Sequence, residues 1–297
     1  MTFSEAFEVG MRTREKWISS KDVDGMRGNF GTVAEYWGLD ADCSKADRDA
    51  VLTYRTALLK LPGKAKGSTL SHASVNHKLS MLSVLLDIAG CAPHTVKHLS
   101  TRGNERMRRL RDTELAAMRS WLLANAERPG CLALYALIVV ALHTAARQGE
   151  LLALLWKDVY FERAEVFFRN TKDGTAGRTV PLSNAALLIL QERLAGPAKT
   201  LAGPFADLSG YRVVDLWAEA RTALGLDADT EFVFHLLRHE GLSRIADSGE
   251  NAFVIKEYAG HSNISTTERY VKAGAHALQR AANVFNTPTV DSRGVLK

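Results

Sequence analysis

Apolar positions along this chain recur first with a helical period, then briefly with a strand period, then with a helical period again. Val75, Leu79, Leu82 and Leu86 fall at i, i+4, i+7 and i+11, a stripe that has to be buried on partner helices. The same period runs over residues 3–17 and 47–61, the latter ended by Pro62-Gly63. A glycine-rich stretch around Gly25, Gly28 and Gly31 separates these two, and Gly90 closes the helix that follows. Asp112 or Thr113 reads as the N-cap of a further helix, with Glu114 in its first turn. Residues 131–142 are apolar almost throughout, the pattern of a helix buried on all sides.

The period then changes. Val159 and Phe161, followed by Val166 and Phe168, alternate as strands do around a Glu162-Arg163-Ala164 turn. Residues 178–182 read as a third strand, which Pro181 confines to an edge. Asp173-Gly174 lies between the second and third strands and puts Lys172 near the tip of a hairpin. Helices return over 185–194, 211–224, 239–246 and 252–258. Ser265 and Glu268 then form an S-x-x-E capping box, which starts a last helix at Thr266 and sets Tyr270 in its second turn. The expected fold is mainly α with a small antiparallel β-sheet. It comprises a helical domain over 1–95, a linker over 96–111, a mixed α+β domain over 112–285 and a flexible tail over 286–297.

Composition narrows the class without deciding it. The 297 residues are 46% hydrophobic and 24% charged, ordinary for a globular protein with room for two cores. No uninterrupted apolar run is long enough to span a bilayer. The N-terminal residues do not read as a signal peptide. Cys43, Cys91 and Cys131 are scattered and stand at no zinc-ligand spacing, which fits free thiols in a reducing compartment. The net charge of +5 is modest, but its location is uneven. Lys97, Arg102, Arg106, Arg108, Arg109 and Arg111 face only Glu105 in that stretch, an excess as large as that of the whole chain. Such a stripe suits a polyanion, and charge alone separates that footprint from a solvated linker no better than evenly.

The reactive side chains concentrate between residues 235 and 270. His235 and Arg238 form H-x-x-R, Gly260-His261 follows, and Tyr270 comes nine residues after His261. Upstream, Arg147 stands in a T-x-x-R-x-x-E-L box. Arginine presents a planar fork of donors to a phosphate, histidine moves protons near neutrality, and a tyrosine hydroxyl can hold a covalent intermediate. Glu150 lies one turn from Arg147 and can hold its guanidinium. His239 is set aside as a capping or packing residue. Asn76 and Lys78 lie off the apolar stripe and are free to face a ligand.

Taken in order, Arg147, Lys172, His235, Arg238, His261 and Tyr270 resemble the catalytic set of the tyrosine recombinases, also called the phage integrase family. The resemblance covers residues 105 to 285, and the N-terminal part looks like that family's core-type DNA-binding domain. Two positions depart from the family pattern. Ala145 stands where glycine usually follows the threonine, and Leu236 where a polar residue usually follows the first histidine.

The resemblance implies a site-specific DNA recombinase that cuts and rejoins DNA through a 3′-phosphotyrosyl intermediate and integrates and excises a phage or mobile element. Tyr270 would be the nucleophile and His235 its proton acceptor. Arg147, Arg238 and His261 would bind the phosphate, and Lys172 would be the acid for the 5′ oxygen. Neither ATP nor metal nor any other cofactor is expected. The implied partners are double-stranded DNA with specific core sites and three further copies of the chain. These form a homo-tetramer on DNA, from a monomer or weak oligomer when free, with a possible accessory directionality factor and no membrane. The apolar positions Leu278, Ala281, Ala282 and Phe285 would exchange between protomers. Asn76, Lys78, Arg102, Arg106, Arg108 and Arg109 are the expected DNA contacts, in a clamp closing around the duplex. Helical features begin almost at Met1, so no separate arm-site domain is expected. The expected setting is the cytoplasm of a bacterial host, with the protein associated with the nucleoid when bound. A chromosome-dimer resolvase, a nicking-closing enzyme and a non-catalytic DNA-binding regulator remain as alternatives.

Overall fold

The computed structural model describes residues 1–20, 22–63, 67–91, 97–101, 108–169, 177–268 and 270. Contacts divide the chain into two units, Met1–Glu105 and Arg106–Lys297. The division falls inside the stretch read as a linker.

The first unit is helical. Helix α1 (Phe3–Thr13) opens on a capping box in which the Thr2 hydroxyl accepts from the Glu5 N–H (3.2 Å) and the Glu5 carboxylate accepts from the Thr2 N–H (2.8 Å). The sequence predicts one helix over 3–17, but the chain breaks at Arg14, which is extended, and restarts as the single turn α2 (Glu15–Ile18). The break folds Trp17 back over α1, where its ring covers Gly10 and meets Phe7 at 5.6 Å. The glycine-rich stretch, expected to interrupt the helices, instead runs inside α3 (Val23–Trp37). Asp22 caps it, Phe30 stacks on Phe7 at 4.1 Å, and Val33 is fully buried. That packing outweighs a propensity cost of about 1 kcal/mol per glycine.

Helix α4 (Arg48–Leu58) is capped by Asp47 and α5 (His72–Ile88) by Ser71. The stripe expected from the period lies in the core, with Val75, Leu79, Leu82 and Leu86 all at most 3% exposed. Residues 97–101 are tied to α5. Asn76 bridges both polar groups of the Leu99 backbone at 2.8–2.9 Å, and His72 Nδ1 meets the Ser100 carbonyl oxygen at 2.7 Å. All three cysteines are free, and burial with Cys91 nearby pushes the Cys43 thiol up to about 11.

The second unit is built around one apolar helix. Helix α6 (Asp112–Ala124) leads into α7 (Cys131–Thr144), whose residues are almost all buried, as the apolar run predicts. The first turn of α6 is closed by Glu114, which accepts from the Arg111 N–H at 3.0 Å, with Arg111 in the cap position rather than Asp112 or Thr113. After α7 the single turn α8 (Gln148–Leu152) precedes a three-stranded antiparallel sheet ordered β1 (Val159–Tyr160), β2 (Glu165–Phe168), β3 (Arg178–Pro181). Phe161, read as a strand residue, opens a 3-10 turn that reverses the chain through a left-handed Ala164. β3 is an edge strand, as Pro181 demands, and Val166, Phe168 and Val180 point into the core.

Helices α9 (Asn184–Ala195), α10 (Gly210–Ala223) and α11 (Leu236–Asp247) pack on α7. Helices α12 (Ala252–Ala259) and α13 (Ser265–Glu268) complete the described part. None of the helices among the described residues is long and apolar enough to cross a membrane. Lys172, Arg102, Arg106 and residues 271–297 lie outside the described residues, and with them the hairpin tip, part of the basic stripe, the expected exchanging segment and the tail.

Helices α7 and α11 approach so closely that a Cβ on Gly241 would collide with the Leu142 carbonyl oxygen. Gly241→Ala should therefore push these helices apart and cost about 1–3 kcal/mol, read as a lowered midpoint in urea unfolding. An unchanged midpoint would mean that the two helices have room for a methyl group at this position.

Candidate functional site

The site gathers where α7, α8, β3, α11, α12 and α13 end or begin. Its most constrained member is Arg238, on the first turn of α11 and only 4% exposed. One arm donates to the Ala145 carbonyl oxygen (2.5 Å) and the other to the Ala259 carbonyl oxygen (2.7 Å). Burial, then the charge of Arg147, lowers its pKa to about 10, so it stays a cation at neutral pH. Ala145 follows the last residue of α7 in the left-handed conformation, with φ of 50°.

Arg147 caps α8 and is half exposed. Glu150 reaches back to accept from its N–H and its guanidinium, each at 2.8 Å. The same carboxylate takes a bidentate pair from Arg178 at 2.8 and 3.0 Å, while Arg178 Nε donates to the Tyr258 carbonyl oxygen. Burial by itself would raise the Glu150 pKa, but the hydrogen bond and charge of Arg178 and the bonds from Arg147 outweigh it and hold it at about 2. Three guanidiniums, Arg147, Arg178 and Arg238, therefore stand around one carboxylate. That imbalance favours an anion between them.

Gly260 ends α12 with a φ of 62°, and a Cβ there would stand 2.8 Å from an Arg178 nitrogen. Both facts favour glycine before His261. His261 is 8% exposed, and its Nδ1 meets the Thr267 hydroxyl at 2.9 Å. The Asn263 side chain accepts from the Ser265 N–H at 3.0 Å, and the helix starts at Ser265 rather than Thr266. Tyr270 comes just after this turn, its N–H donating to the Thr267 carbonyl oxygen. Its ring lies over His261 at 6.5 Å and packs on the small cluster of Ala145, Leu242, Ile255 and Ala259. Its hydroxyl meets Nδ1 of His239 at 2.5 Å, and the His239 ring meets the edge of His235 at 4.6 Å. The structure thus brings Arg147, Glu150, His235, Arg238, His261 and Tyr270 together, and adds Arg178, His239 and Thr267. Among the described residues no group of three or more His, Cys, Asp or Glu could hold a metal ion.

The described ones among the expected DNA contacts, Asn76, Lys78, Arg108 and Arg109, are already engaged. Asn76 spends its amide on Leu99. Lys78 donates to the Thr32 hydroxyl at 2.7 Å, and burial lowers its pKa. Arg108, with a side chain 14% exposed, is shared between Glu114 and Asp229. Arg109 is held by Glu240 and Asp247, and Arg111 by Glu114. The described arginines of the basic stripe are neutralised within the second unit, whose own carboxylates claim them.

A family model described as the phage integrase family matches residues 108–276, more than half of the chain. The chain belongs to the phage integrase family. The shufflon-specific DNA recombinase of Escherichia coli is 30% identical over 234 residues, covering 77% of this chain and 58% of that protein. The tyrosine recombinase XerD of Corynebacterium glutamicum is 29% identical over 157 residues, covering 48% of this chain and 49% of the relative. The chain thus spans about half the length of these curated relatives.

Among solved structures, the Tn1549 transposon integrase in complex with a circular intermediate DNA superposes with a TM-score of 0.74 at 16% identity, covering 96% of this chain and 99% of that one. A lambda integrase dimer bound to a COC′ core site gives 0.69 at 18% identity, over 93% and 97%. At these identities the likeness is one of fold.

The departure of this integrase-family chain at Ala145 now has a physical setting. The position needs a positive φ, which glycine adopts freely and alanine at a cost of about 1–2 kcal/mol. Its buried methyl group returns part of that by packing on the Leu242 cluster. Arg178 and His239 carried only weak signals in the sequence. His239 stands one turn after His235 on the same helix face, whereas nothing local links Arg178 to Glu150.

Glu150→Gln removes the carboxylate shared by Arg147 and Arg178. The folded pKa of about 2 lies below the reference 4.5, so this stabilisation is complete above pH 4.5 and is lost as pH falls toward 2. The variant should be less stable by about 3 kcal/mol at pH 7. The gap from wild type should narrow below pH 4.5 in denaturation curves and close near pH 2, and a gap still undiminished at pH 2 would contradict the assignment.

Proposed function

We propose that the chain is a site-specific recombinase that breaks and rejoins DNA through a covalent link between Tyr270 and a 3′ phosphate. The observation that carries this reading is the convergence of one phenol with three guanidiniums around a single carboxylate in a largely buried site. The phenolic oxygen attacks phosphorus, and the new O–P bond forms as the bond to the 5′ oxygen breaks. Arg147 and Arg238 donate to the non-bridging oxygens, and both keep their charge throughout. Glu150 holds Arg147 in place, so less ordering is left for the moment of reaction. The 5′ oxygen leaves with a proton, for which Lys172 is the acid. Attack by another strand's 5′ hydroxyl on the phosphotyrosyl ester reverses the step.

In this reading four copies act on paired core sites, and the apolar positions Leu278 and Phe285 exchange between protomers. Integration and excision of a mobile element is the role we favour. The likeness of fold to a transposon integrase and a lambda integrase is compatible with it, as the likeness to the XerH recombinase bound to difH is with dimer resolution.

A nicked suicide substrate carrying the cognate core site tests the chemistry. Wild type should accumulate a protein–DNA adduct resistant to denaturant, and Tyr270→Phe should leave binding intact and form none. An adduct of equal yield from the phenylalanine variant would reject Tyr270 as the nucleophile. Leu278→Asp should keep single-site cleavage and lose recombination between paired sites, scored by gel. Full recombination by that variant would reject the exchanging segment.

A further inference from the structure

We infer that Nδ1 of His239, rather than His235, takes the proton from the Tyr270 hydroxyl as the phenol attacks. The inference deepens the reading of Tyr270 as nucleophile and rests on it. Tyrosine's ordinary pKa of about 10 means that its oxygen is protonated at neutral pH, so attack needs an acceptor within hydrogen-bond reach of that proton. The phenol oxygen meets His239 Nδ1 at 2.5 Å with the two rings 5.9 Å apart. His239 is the residue after Arg238 on α11. The helix that buries the phosphate-binding guanidinium therefore also carries the acceptor, and the two are set by one backbone.

His239 stands against both of its ring neighbours. On one side is the phenol, and on the other the His235 ring, met edge-on at 87°. His235 thus holds the imidazole in place and acts through it. Arg108, Glu231 and His235 line a small cavity with His239, and His261 faces the phenol from the far side. Of these, Arg108 is already committed to Glu114 and Asp229.

The step balances simply. With the imidazole neutral and its proton on Nε2, the phenolic proton passes to Nδ1 and gives an imidazolium. The phenolic oxygen bonds to phosphorus, and the 5′ oxygen departs with a proton from the acid assigned to Lys172. On rejoining, the same imidazolium returns its proton to the departing phenolate. A protonated His239 has no lone pair at Nδ1, so cleavage falls as pH drops through its titration.

Single-turnover cleavage of the nicked suicide substrate between pH 5.5 and 9 tests this, with folding checked by thermal melting and DNA binding by gel shift. In His239→Asn an amide can still accept the hydrogen bond near the Nδ1 position but cannot take the proton. That variant should bind DNA, cleave about 10²–10⁴-fold more slowly at pH 7, and replace the acid limb with a rate that climbs steadily with pH. His239→Ala should regain cleavage on addition of imidazole. A substrate with a 5′-bridging sulfur, whose leaving thiolate needs no proton, should not rescue either variant.

His235→Asn should retain the acid limb. Wild-type rates and an unchanged profile in His239→Asn would overturn the proposal while leaving Tyr270 as nucleophile. So would loss of the acid limb in His235→Asn alone. Absence of any adduct from wild type would overturn the nucleophile reading and this inference with it.

Discussion

A buried guanidinium is the constraint around which the second unit is arranged. Arg238 is almost fully enclosed, and a desolvated cation is tolerated only when its donors are matched. The acceptors come from two helix C-termini. Ala145 closes α7 and Ala259 ends α12, and each carbonyl belongs to the set a helix leaves unsatisfied at its last turn. Both helices turn away through left-handed residues, Ala145 and Gly260, which aim those carbonyls at one point. The negative ends of two helix dipoles thus meet one cation, and three helices are locked by it. Tyr270 rests on the cluster formed where these ends meet, so the position of its phenol depends on the same convergence.

The neighbouring arginines divide the work by exposure. Arg238 gives up hydration and gains fixity. Arg147 stays half exposed but is pinned twice by Glu150, once through its backbone and once through its side chain. Arg178 completes the bridge from β3 and shields the carboxylate on the other side. Without Glu150 the cations would repel one another across a poorly solvated gap. With it, a net positive site survives in the absence of substrate, its donors already oriented for an anion.

How much of this could be read from the residues depended on whether a feature was local. The stripe from Val75 to Leu86 and the apolar run of α7 announced buried helices, because burial imposes a period or removes polar residues altogether. Pro181 announced an edge strand because it lacks a donor. The helix through Gly25, Gly28 and Gly31 was not legible, since its warrant is Phe30 stacking on a distant Phe7. The break at Arg14 was hidden for the same reason, because Trp17 gains more by folding over Gly10 than by prolonging the helix.

In the site, Arg147, His235, Arg238, His261 and Tyr270, each in a short motif of the sequence, stand together, while Lys172 lies outside the described residues. Arg178 was missed because it is far in sequence from the Glu150 it serves. His239 was set aside because capping or packing is the common fate of a lone histidine beside an arginine.

The basic stripe teaches the complementary lesson about charge. Counted along the sequence, residues 97–111 are the most cationic stretch of the chain. Counted in space, its described arginines are consumed. Arg108 and Arg111 converge on Glu114. Arg109 joins Arg244 on Glu240, and Asp229, Asp247 and Asp112 take the remaining arms. Glu240 and Glu114 are themselves buried, so their ionised state needs those cations, and the arginines close the surface of the second unit over two otherwise costly carboxylates. Local excess of one sign therefore says little about a polyanion until the opposite charges that fold onto it are known. Among the described residues an imbalance survives folding at Arg147, Arg178 and Arg238, where one carboxylate faces three cations. That is the surface on which an argument for phosphate binding rests.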